Sequence, residues 1–377
     1  MIPITKLLIG EEEAQAAARV IRSGWLAQGA EVARFEQAVA DLAGARHGVA
    51  VSSGTTALHL CLAASGIGPG DEVLVPALGF VATANVVRHT GARPIFVDVD
   101  PGTFNLAPER LEAAITPRTR TILPVHQLGL SADMAPILAL ARSRGLEVFE
   151  DGACALGAQY RGRPVGALGN PCCFSFHPRK VITTGEGGVI TTDDGELADT
   201  LRALRSHGMR ASARQRHDAP TATSEPIELV GYNYRMTDVQ AAVGLVQIGR
   251  LAGILERRAT LARRYGAALS AAGLTPPAEP EGSRHTFQSY MVLLPDHFTA
   301  SQRDLVIRRL IDRGIATRPG LMALHLQPAY HDPTRPALPV TEALARRGLM
   351  LPLYPELSEG DQDRVVHELC SAVSELG

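Results

Sequence analysis

The sequence predicts an α/β protein with a large domain, built on a mainly parallel sheet flanked by helices, and a small C-terminal α+β domain. Short apolar segments recur between about residues 45 and 195, and most are separated by enough residues for a helix. Several are apolar throughout, which is typical of strands buried on both faces of a parallel sheet. The pattern changes after GYNYRM (231–236), so we place the large domain at 1–245 and the small domain at 246–377.

The strands of the large domain are predicted from the segments HGVAVSS, DEVLVPA, RPIFVDVD, RTILPVH, LEVFEDG and CCFSFH. Between two of them, SADMAPILALARSRG (131–145) is predicted to be a helix, because a serine stands at its start and Arg-Gly at its end. Strands that alternate with helices in this way indicate helices layered on a sheet.

The C-terminal part begins at TDVQ (237–240), which matches a helix capping box and predicts a helix to about residue 270. The Pro-rich segment LTPPAEPEG is predicted to be a loop. Beyond it we predict a strand in FQSYMVLL, a helix begun by Ser301, a short strand near Ile315 and a last helix from Ser358.

Composition excludes several classes of function. The chain has 377 residues, 45% of them hydrophobic, and a net charge of −2, so it offers a core but no basic surface for nucleic acid or an anionic membrane. The N-terminus lacks a signal-peptide pattern, and no apolar run approaches the roughly 20 residues of a membrane span. Five cysteines without a CxxC pair indicate reduced thiols. We therefore expect a cytoplasmic protein.

Polar residues follow several predicted strands, where ligands bind in open α/β sheets. SSGTT (52–56) precedes a helix, so the N–H groups and hydroxyl of Gly54 and Thr55 suit a phosphate, although an ordinary helix cap is the alternative. Asp151 ends the strand LEVFED, either as a carboxylate aimed into a site or as a polar cap. Asn233 and Arg235 lie just before the capped helix and suit either an anion site or a surface loop.

The segment FSFHPRKVITTGEGG (174–188) alternates aromatic and polar residues, so that Ser175 faces a ligand, and then places Lys180 before a glycine cluster. A phosphate-binding P-loop is excluded, because there the lysine follows the glycines. Lys180, Asp151, Gly54, Ser175 and an aromatic residue, Phe80, together form the set that pyridoxal phosphate (PLP) requires. The lysine binds the aldehyde, the carboxylate holds the ring nitrogen protonated, polar groups bind the phosphate and the aromatic covers the ring.

At this point the sequence resembles the DegT/StrS-type sugar aminotransferases. The resemblance covers nearly the whole chain and includes VSSGTTALHLCL, GDEVLVPALGFVATANVV, EDGACALGA, FSFHPRKVITTGEGGVITTDD and GYNYRMTDVQAAVGLVQI. It implies the fold of the PLP-dependent transferases of fold type I, in which the sheet of the large domain has seven strands. It also implies transfer of an amino group from an amino acid, expected to be L-glutamate, to a keto-sugar that we expect to be nucleotide-linked.

Carried over by position, the resemblance implies that Lys180 forms the Schiff base and Asp151 binds the pyridinium, with Gly54, Thr55 and Ser175 at the phosphate. No metal is expected.

The residue that matches Asn233 reaches the phosphate in the neighbouring subunit, which implies a homodimer with shared active sites. Arg235 is a candidate for the donor's carboxylate. The chain departs from the family at Cys154, where Gln or His usually contacts the cofactor, and at Gly152, where Ala is usual. A thiol is a weaker hydrogen-bond partner, so this contact and the substrate range are open.

Several alternatives stay open. A cyclitol ketone or a sugar without a nucleotide fits the family as well, and a cofactor-free regulatory homologue is the non-enzymatic alternative. Sugar dehydratases of the family carry histidine in place of the lysine, so Lys180 argues against them.

Candidate substrate contacts lie in two further segments. IATRPGLMALHLQPAY (315–330) contains Arg318 and His325, for which a surface arginine and a packed histidine are equally good interpretations. The polar loop 209–228 contains Arg210, Arg214 and Arg216, which suit either a diphosphate or solvent.

Overall fold

The computed structural model describes residues 1–210, 227–332 and 336–377. The α-helices are α1 (Glu11–Ser23), α2 (Ala30–Ala43), α3 (Gly54–Ala64), α4 (Ala82–His89), α5 (Pro108–Ala114), α6 (Met134–Arg144), α7 (Gly195–Leu204), α8 (Asp238–Ala271), α9 (Ala300–Asp312), α10 (Pro339–Arg347) and α11 (Glu359–Ser374). The strands are β1 (His47–Val51), β2 (Glu72–Pro76), β3 (Leu78–Gly79), β4 (Arg93–Val97), β5 (Thr119–Ile122), β6 (Glu147–Val148), β7 (Glu150–Asp151), β8 (Gln159–Tyr160), β9 (Arg163–Pro164), β10 (Cys172–Ser175), β11 (Gly188–Thr192), β12 (Tyr290–Leu293), β13 (Arg318–Pro319), β14 (Met322–Ala323) and β15 (Gly348–Leu351). Short 3-10 helices cover Gln127–Gly129, Leu324–Leu326 and Pro328–Tyr330.

The large sheet consists of two ladders, ordered β4-β2-β5-β6 and β7-β10-β11-β1. Only Phe149 separates β6 from β7, so the two ladders share one strand and form a single sheet of seven. Its neighbours pair in parallel except at β11, which runs antiparallel to both β10 and β1. The predicted mainly parallel sheet is therefore confirmed.

Helices cover both faces of this sheet, and the alternation of side chains along a strand explains why. Val49 and Val51 of β1 pack into the cluster that contains α3, α4 and α7, whereas Ala50 between them packs into the cluster of α2 and α8. All three are fully buried. Full burial of one Val or Leu side chain contributes about 1.5–3 kcal/mol relative to exposure, so strands that are apolar throughout stabilise a three-layer arrangement.

The helix predicted from Ser131 begins at Met134, with Asp133 at its N-cap and Gly145 in the left-handed conformation at its C-cap. The serine does not cap it, because the Ser131 hydroxyl donates to the carbonyl of Ala132 instead. The start was therefore predicted too early, while the helix itself and its end are confirmed.

The capping box at 237–240 is confirmed. The Gln240 N–H donates to Thr237 Oγ1 at 3.3 Å, and the Thr237 N–H donates to Gln240 Oε1 at 3.0 Å. Helix α8 then continues unbroken to Ala271. Its earlier buried residues, such as Leu251, pack into a large-domain cluster, and its later ones, such as Tyr265, pack into the small-domain cluster. The predicted boundary at residue 245 lies inside this helix and stays a prediction.

By length and composition alone, α8 is the one helix among the described residues that is apolar enough to cross a membrane. Its buried residues, however, belong to the two cores that it joins. A core helix passes the same test of length and composition. We therefore interpret α8 as a core helix.

The small domain contains an antiparallel sheet ordered β12-β15-β13. Thr299 caps α9, two residues ahead of the predicted Ser301, and Ser358 caps α11 as predicted. The short strand expected near Ile315 is a single bridge, in which Ile315 pairs with Ile2 at the other end of the chain. The first residues of the chain therefore pack into the small-domain core.

Candidate active site

The carboxyl ends of β1, β7 and β10 bring three of the predicted segments to one edge of the sheet. Asp151 ends β7, Ser175 ends β10 and the Ser52–Thr56 turn follows β1. Lys180 lies in the turn between β10 and the antiparallel β11. The sheet thus brings together the residues that the sequence singled out, as expected for parallel strands in register.

The Lys180 side chain is half-buried, and its Nζ lies 3.2 Å from the sulfur of Cys154. Cys154 is itself fixed through its backbone, because the Thr286 hydroxyl donates to its carbonyl at 3.0 Å. The residue that departs from the family pattern is therefore the hydrogen-bond partner of the candidate catalytic amine. A sulfur atom is a weak acceptor, so Lys180 is held in place without being tightly bound.

Asp151 is buried, with 5% of its surface exposed, and both of its carboxylate oxygens have donors. The Thr83 hydroxyl donates to Oδ2 at 2.8 Å and the Ala153 N–H donates to Oδ1 at 3.1 Å. Thr83 lies in α4 and is also buried. A buried carboxylate with hydrogen-bonded oxygens is fixed in direction, so Asp151 can present its charge to one point.

The neighbouring Glu150 points elsewhere. Its carboxylate lies 2.9 Å from Nε2 of His126, and both side chains are fully buried. Nδ1 of His126 accepts the Ala132 N–H at 3.0 Å. His126, Glu150 and Cys172 each offer one ligand atom, and these three atoms lie close enough together to hold a metal ion. Since both nitrogens of His126 already have hydrogen-bond partners, we interpret the group as structural, and the expectation of no metal stays a prediction.

The turn at the start of α3 forms a cradle for an anion. Ser53 is its N-cap and accepts the Thr56 N–H at 3.1 Å, while the first N–H groups of a helix have no partner within it. A Cβ atom on Gly54 would lie 2.7 Å from the Cβ of Ser175, and one on Gly188 would lie 2.3 Å from the carbonyl oxygen of Ser53. Glycine at both positions therefore lets the turn and β11 meet, which leaves a narrow, N–H-rich site of the kind that binds phosphate.

Gly54→Ala is expected to weaken PLP binding about tenfold or more, because the added methyl group forces the Ser175 side chain away from the cradle. The dissociation constant follows from a titration of the cofactor-free protein, with absorbance as the signal. Gly249→Ala in α8 is the matched control, because no atom lies within 4 Å of its Cβ position. Equal PLP affinity in both variants would contradict this use of Gly54.

Phe80 follows β3 and is 65% exposed, which is unusual for a phenylalanine. Its carbonyl accepts the Thr83 N–H at 3.3 Å, so it belongs to the same turn as the residue that holds Asp151. An exposed aromatic ring in this turn is available to cover an aromatic ligand. The role of Phe80 in covering the cofactor ring stays a prediction, which the exposure of its side chain supports.

Asn233 is exposed and lies between Tyr232 and Tyr234, whose rings stack with centroids 4.9 Å apart. The segment is tied to the cofactor side of the sheet, because the Ser52 N–H donates to the Tyr234 carbonyl at 2.8 Å. Arg235 donates to the Ser206 hydroxyl at 3.3 Å. The rigid, outward position of Asn233 suits a contact with a second subunit.

Of the two candidates in 315–330, His325 is buried. Its Nε2 lies 3.2 Å from a Glu342 carboxylate oxygen, and its ring packs near Phe96. This is the packed-histidine interpretation that the sequence left open. Arg318, by contrast, is half-buried and lines a cavity beside Arg179, which directly precedes Lys180.

Comparisons with known proteins show the family to which the chain belongs. A model of the DegT/DnrJ/EryC1/StrS aminotransferase family matches residues 8–370. The chain is 41% identical over 370 residues to the spore coat polysaccharide biosynthesis protein SpsC of Bacillus subtilis, covering 97% of this chain and 95% of that protein. It is 45% identical over 348 residues to GDP-perosamine synthase of Caulobacter vibrioides, covering 92% and 91%.

Among solved structures, the PLP-form of Spr1654 from Streptococcus pneumoniae superposes with a TM-score of 0.92 at 29% identity, covering 100% of this chain and 99% of that one. The same protein is also known in a PMP-form. The chain belongs to the DegT/DnrJ/EryC1/StrS aminotransferase family. It is accordingly a PLP-dependent aminotransferase with the predicted fold of type I, and the donor set around Lys180 and Asp151 fits that cofactor.

Proposed function

We propose that this protein transfers an amino group from an amino acid to a nucleotide-linked keto-sugar in cytoplasmic amino-sugar biosynthesis. We expect the amino acid to be L-glutamate. The observation that carries the proposal is the convergence of one lysine amine, one fixed carboxylate and one N–H-rich cradle at a single edge of the sheet. The sugar is supported by relatives whose names refer to GDP-perosamine synthesis and to polysaccharide biosynthesis.

PLP, when bound, supplies an electron-accepting ring and an aldehyde that carries the amino group from one substrate to the other. Lys180 would hold the aldehyde carbon, and its free amine would move the proton at the donor's α-carbon as general acid and base. Its contact with Cys154, at 3.2 Å, keeps the free amine at the site. Asp151 would hold the positive charge of the ring nitrogen, and Ser175 with the Gly54 turn would hold the phosphate.

The test is a screen of nucleotide-linked keto-sugars with L-glutamate and the PLP-loaded enzyme, in which formation of 2-oxoglutarate is measured. We expect turnover with at least one keto-sugar and none with Lys180→Ala. Turnover confined to cyclitol ketones or nucleotide-free sugars would overturn the nucleotide-linked part. Absence of amino transfer to any ketone would overturn the whole proposal.

Assembly is the second part of the proposal: a homodimer in which Asn233 reaches the partner's cofactor phosphate. Its exposed position between stacked tyrosines supports this role. Mixing Lys180→Ala subunits with Asn233→Ala subunits, each inactive or impaired alone, is expected to restore activity, because each mixed dimer has one site with both residues intact. No recovery, in samples where mixed dimers are demonstrated, would place both residues in the site of one chain.

The sequence left open whether the arginines of the loop 209–228 contact a substrate diphosphate or only solvent. Arg210 forms an ion pair with Glu228, with 3.2 Å between Nη2 and Oε2. Arg214 and Arg216 lie outside the described residues. A diphosphate contact at Arg210 requires that this exposed pair open, which is inexpensive because surface ion pairs contribute about 0–1 kcal/mol.

A further inference from the structure

A short segment that leads into β12 contacts two neighbours of Lys180. The Thr286 hydroxyl donates to the carbonyl of Cys154 at 3.0 Å, and the sulfur of Cys154 lies 3.2 Å from Lys180 Nζ. The buried side chain of Gln288 donates from Nε2 to the carbonyl of Arg179 at 2.6 Å. Arg179 directly precedes Lys180 in the chain. The segment therefore holds both the residue before the lysine and the residue beside its amine.

This 286–288 segment fits closely against the large sheet's 3-10 turn at Gly129. The Thr286 N–H donates to the Gly129 carbonyl at 3.0 Å. A Cβ atom on Gly129 would overlap Thr286 Oγ1 and lie 2.9 Å from the carbonyl oxygen of Cys154, and φ of Gly129 is +101°. Glycine at this position is therefore what lets the segment reach Cys154.

The backbone of the 286–288 segment is held in an unfavourable conformation. Phe287 has φ of +46°, in the left-handed region that residues with a Cβ atom disfavour. Its side chain is buried in the small-domain core, and its N–H donates to Nδ1 of His285 at 2.9 Å. Such conformations persist only where the surrounding contacts determine them, and they cluster at functional sites. The contacts that hold Phe287 are therefore of interest.

A buried guanidinium supplies these contacts. Arg258 of α8 donates from Nε to the Phe287 carbonyl at 2.9 Å and from Nη2 to the Gln288 carbonyl at 2.7 Å. Burial lowers the pKa of Arg258 to about 10, and no carboxylate among the described residues forms an ion pair with it. A buried cation without a counter-ion is costly, and its charge-assisted hydrogen bonds to the two carbonyls offset that cost. Arg258 is thus satisfied only while the segment keeps this conformation.

We propose that Arg258 and Gln288 are positioning residues for Lys180: Arg258 locks the 286–288 segment, and Gln288 holds the backbone of Arg179 so that the lysine amine points to the cofactor. Both act through the turn in which the Lys180 N–H donates to the His177 carbonyl at 2.8 Å. An amine held in one direction meets a bound aldehyde at a high effective concentration, which favours covalent attachment and proton transfer alike. This inference rests on the proposed role of Lys180 and is independent of the sugar.

The first test measures binding of PLP to the cofactor-free protein by absorbance, with and without the lysine. Where Lys180 is present, Gln288→Met should weaken apparent binding about three- to tenfold, the contribution of one hydrogen bond. In the Lys180→Ala protein, where that covalent bond cannot form, Gln288→Met should leave the affinity for PLP unchanged. Gln362→Met is the matched control, because Gln362 is also buried and donates from Nε2 to a backbone carbonyl, that of Leu261, at 2.6 Å. It should leave PLP binding unchanged in both proteins.

The second test measures the half-reaction of the PLP-loaded enzyme with L-glutamate, as the change in the bound cofactor's absorbance. Gln288→Met should lower the rate at saturating donor about tenfold and leave the half-saturating donor concentration unchanged, because the amine is misdirected while the donor site is intact. Arg258→Lys, which keeps the charge, should retain part of the rate. Thr286→Val has the same shape as the native side chain and lacks the hydroxyl that donates to Cys154, so it should act in the same direction as Gln288→Met.

The two proteins in the first test separate positioning from a general effect on the fold. Equal weakening of PLP binding with and without Lys180, or no weakening in either, would overturn the proposal. Covalent attachment of PLP to the Lys180→Ala protein would reject the role of Lys180 and the proposal with it. Because this test uses no substrate, it decides the proposal whichever amino acid is the donor.

Discussion

Lys180→Ala is expected to lower kcat for amino transfer about a thousandfold or more, while the variant still folds and holds PLP without a covalent bond. The amine has two roles, as the group that binds the aldehyde and as the proton carrier, and the nearby Cys154 replaces neither. The sequence makes the control simple, because Lys6 and Lys180 are its only lysines. Lys6 is exposed and paired with Glu356, so Lys6→Ala should retain wild-type kcat.

Because the sequence contains only two lysines, covalent labelling can show directly which of them binds the cofactor. Borohydride reduction of the PLP-loaded enzyme should add one pyridoxyl mass to the peptide that contains Lys180. The peptide with Lys6 should remain unlabelled, as should the protein Lys180→Ala. A label on Lys6 or on the N-terminal amine would refute the assignment of Lys180.

Asp151→Asn is expected to lower kcat about a hundredfold or more with little change in fold. The amide has the shape of the carboxylate, and its oxygen can still accept from Thr83 or from the Ala153 N–H. It cannot hold a negative charge against the ring nitrogen, so the electron-accepting capacity of the cofactor falls.

Thr83→Val tests the same site indirectly. It removes the hydroxyl that donates to Asp151 and leaves the negative charge of Asp151 in place. We expect a smaller decrease in kcat, about tenfold, and an altered absorbance of the bound cofactor. Wild-type rates for Asp151→Asn would show that this carboxylate only caps β7.

The sequence was sufficient to predict the α/β class, the parallel strands and the capping box at 237–240, because each depends on a local pattern of apolar or capping residues. It also singled out Lys180 and Asp151, whose positions follow directly from strand ends. The antiparallel strand β11 was not among the predicted strands. Its five residues, GVITT, follow a glycine cluster and carry no turn signal for pairing with β1, far away in the sequence.

Contacts between distant segments account for most of what the sequence left undecided. Thr83 lies 68 positions from Asp151, and nothing near it in the chain marks it as the donor to that carboxylate. Arg179 and Arg318 are far apart in the sequence, and only the position of β13 brings them to the same cavity. His325 and Arg318 looked alike in one loop, and only packing separates a histidine paired with Glu342 from an arginine without a counter-charge.

The pairing of Ile2 with Ile315 has a consequence for the order in which the chain folds. The Ile2 N–H donates to the Gly314 carbonyl and the Leu353 N–H donates to the Ile4 carbonyl, so two segments far apart in the sequence are paired. Ile4 and Thr5 also line the cavity of Arg179 and Arg318. Closing so long a loop is slow, so this cavity is completed late in folding. An insertion next to Ile2 would lie beside that late-forming wall and is expected to disturb it.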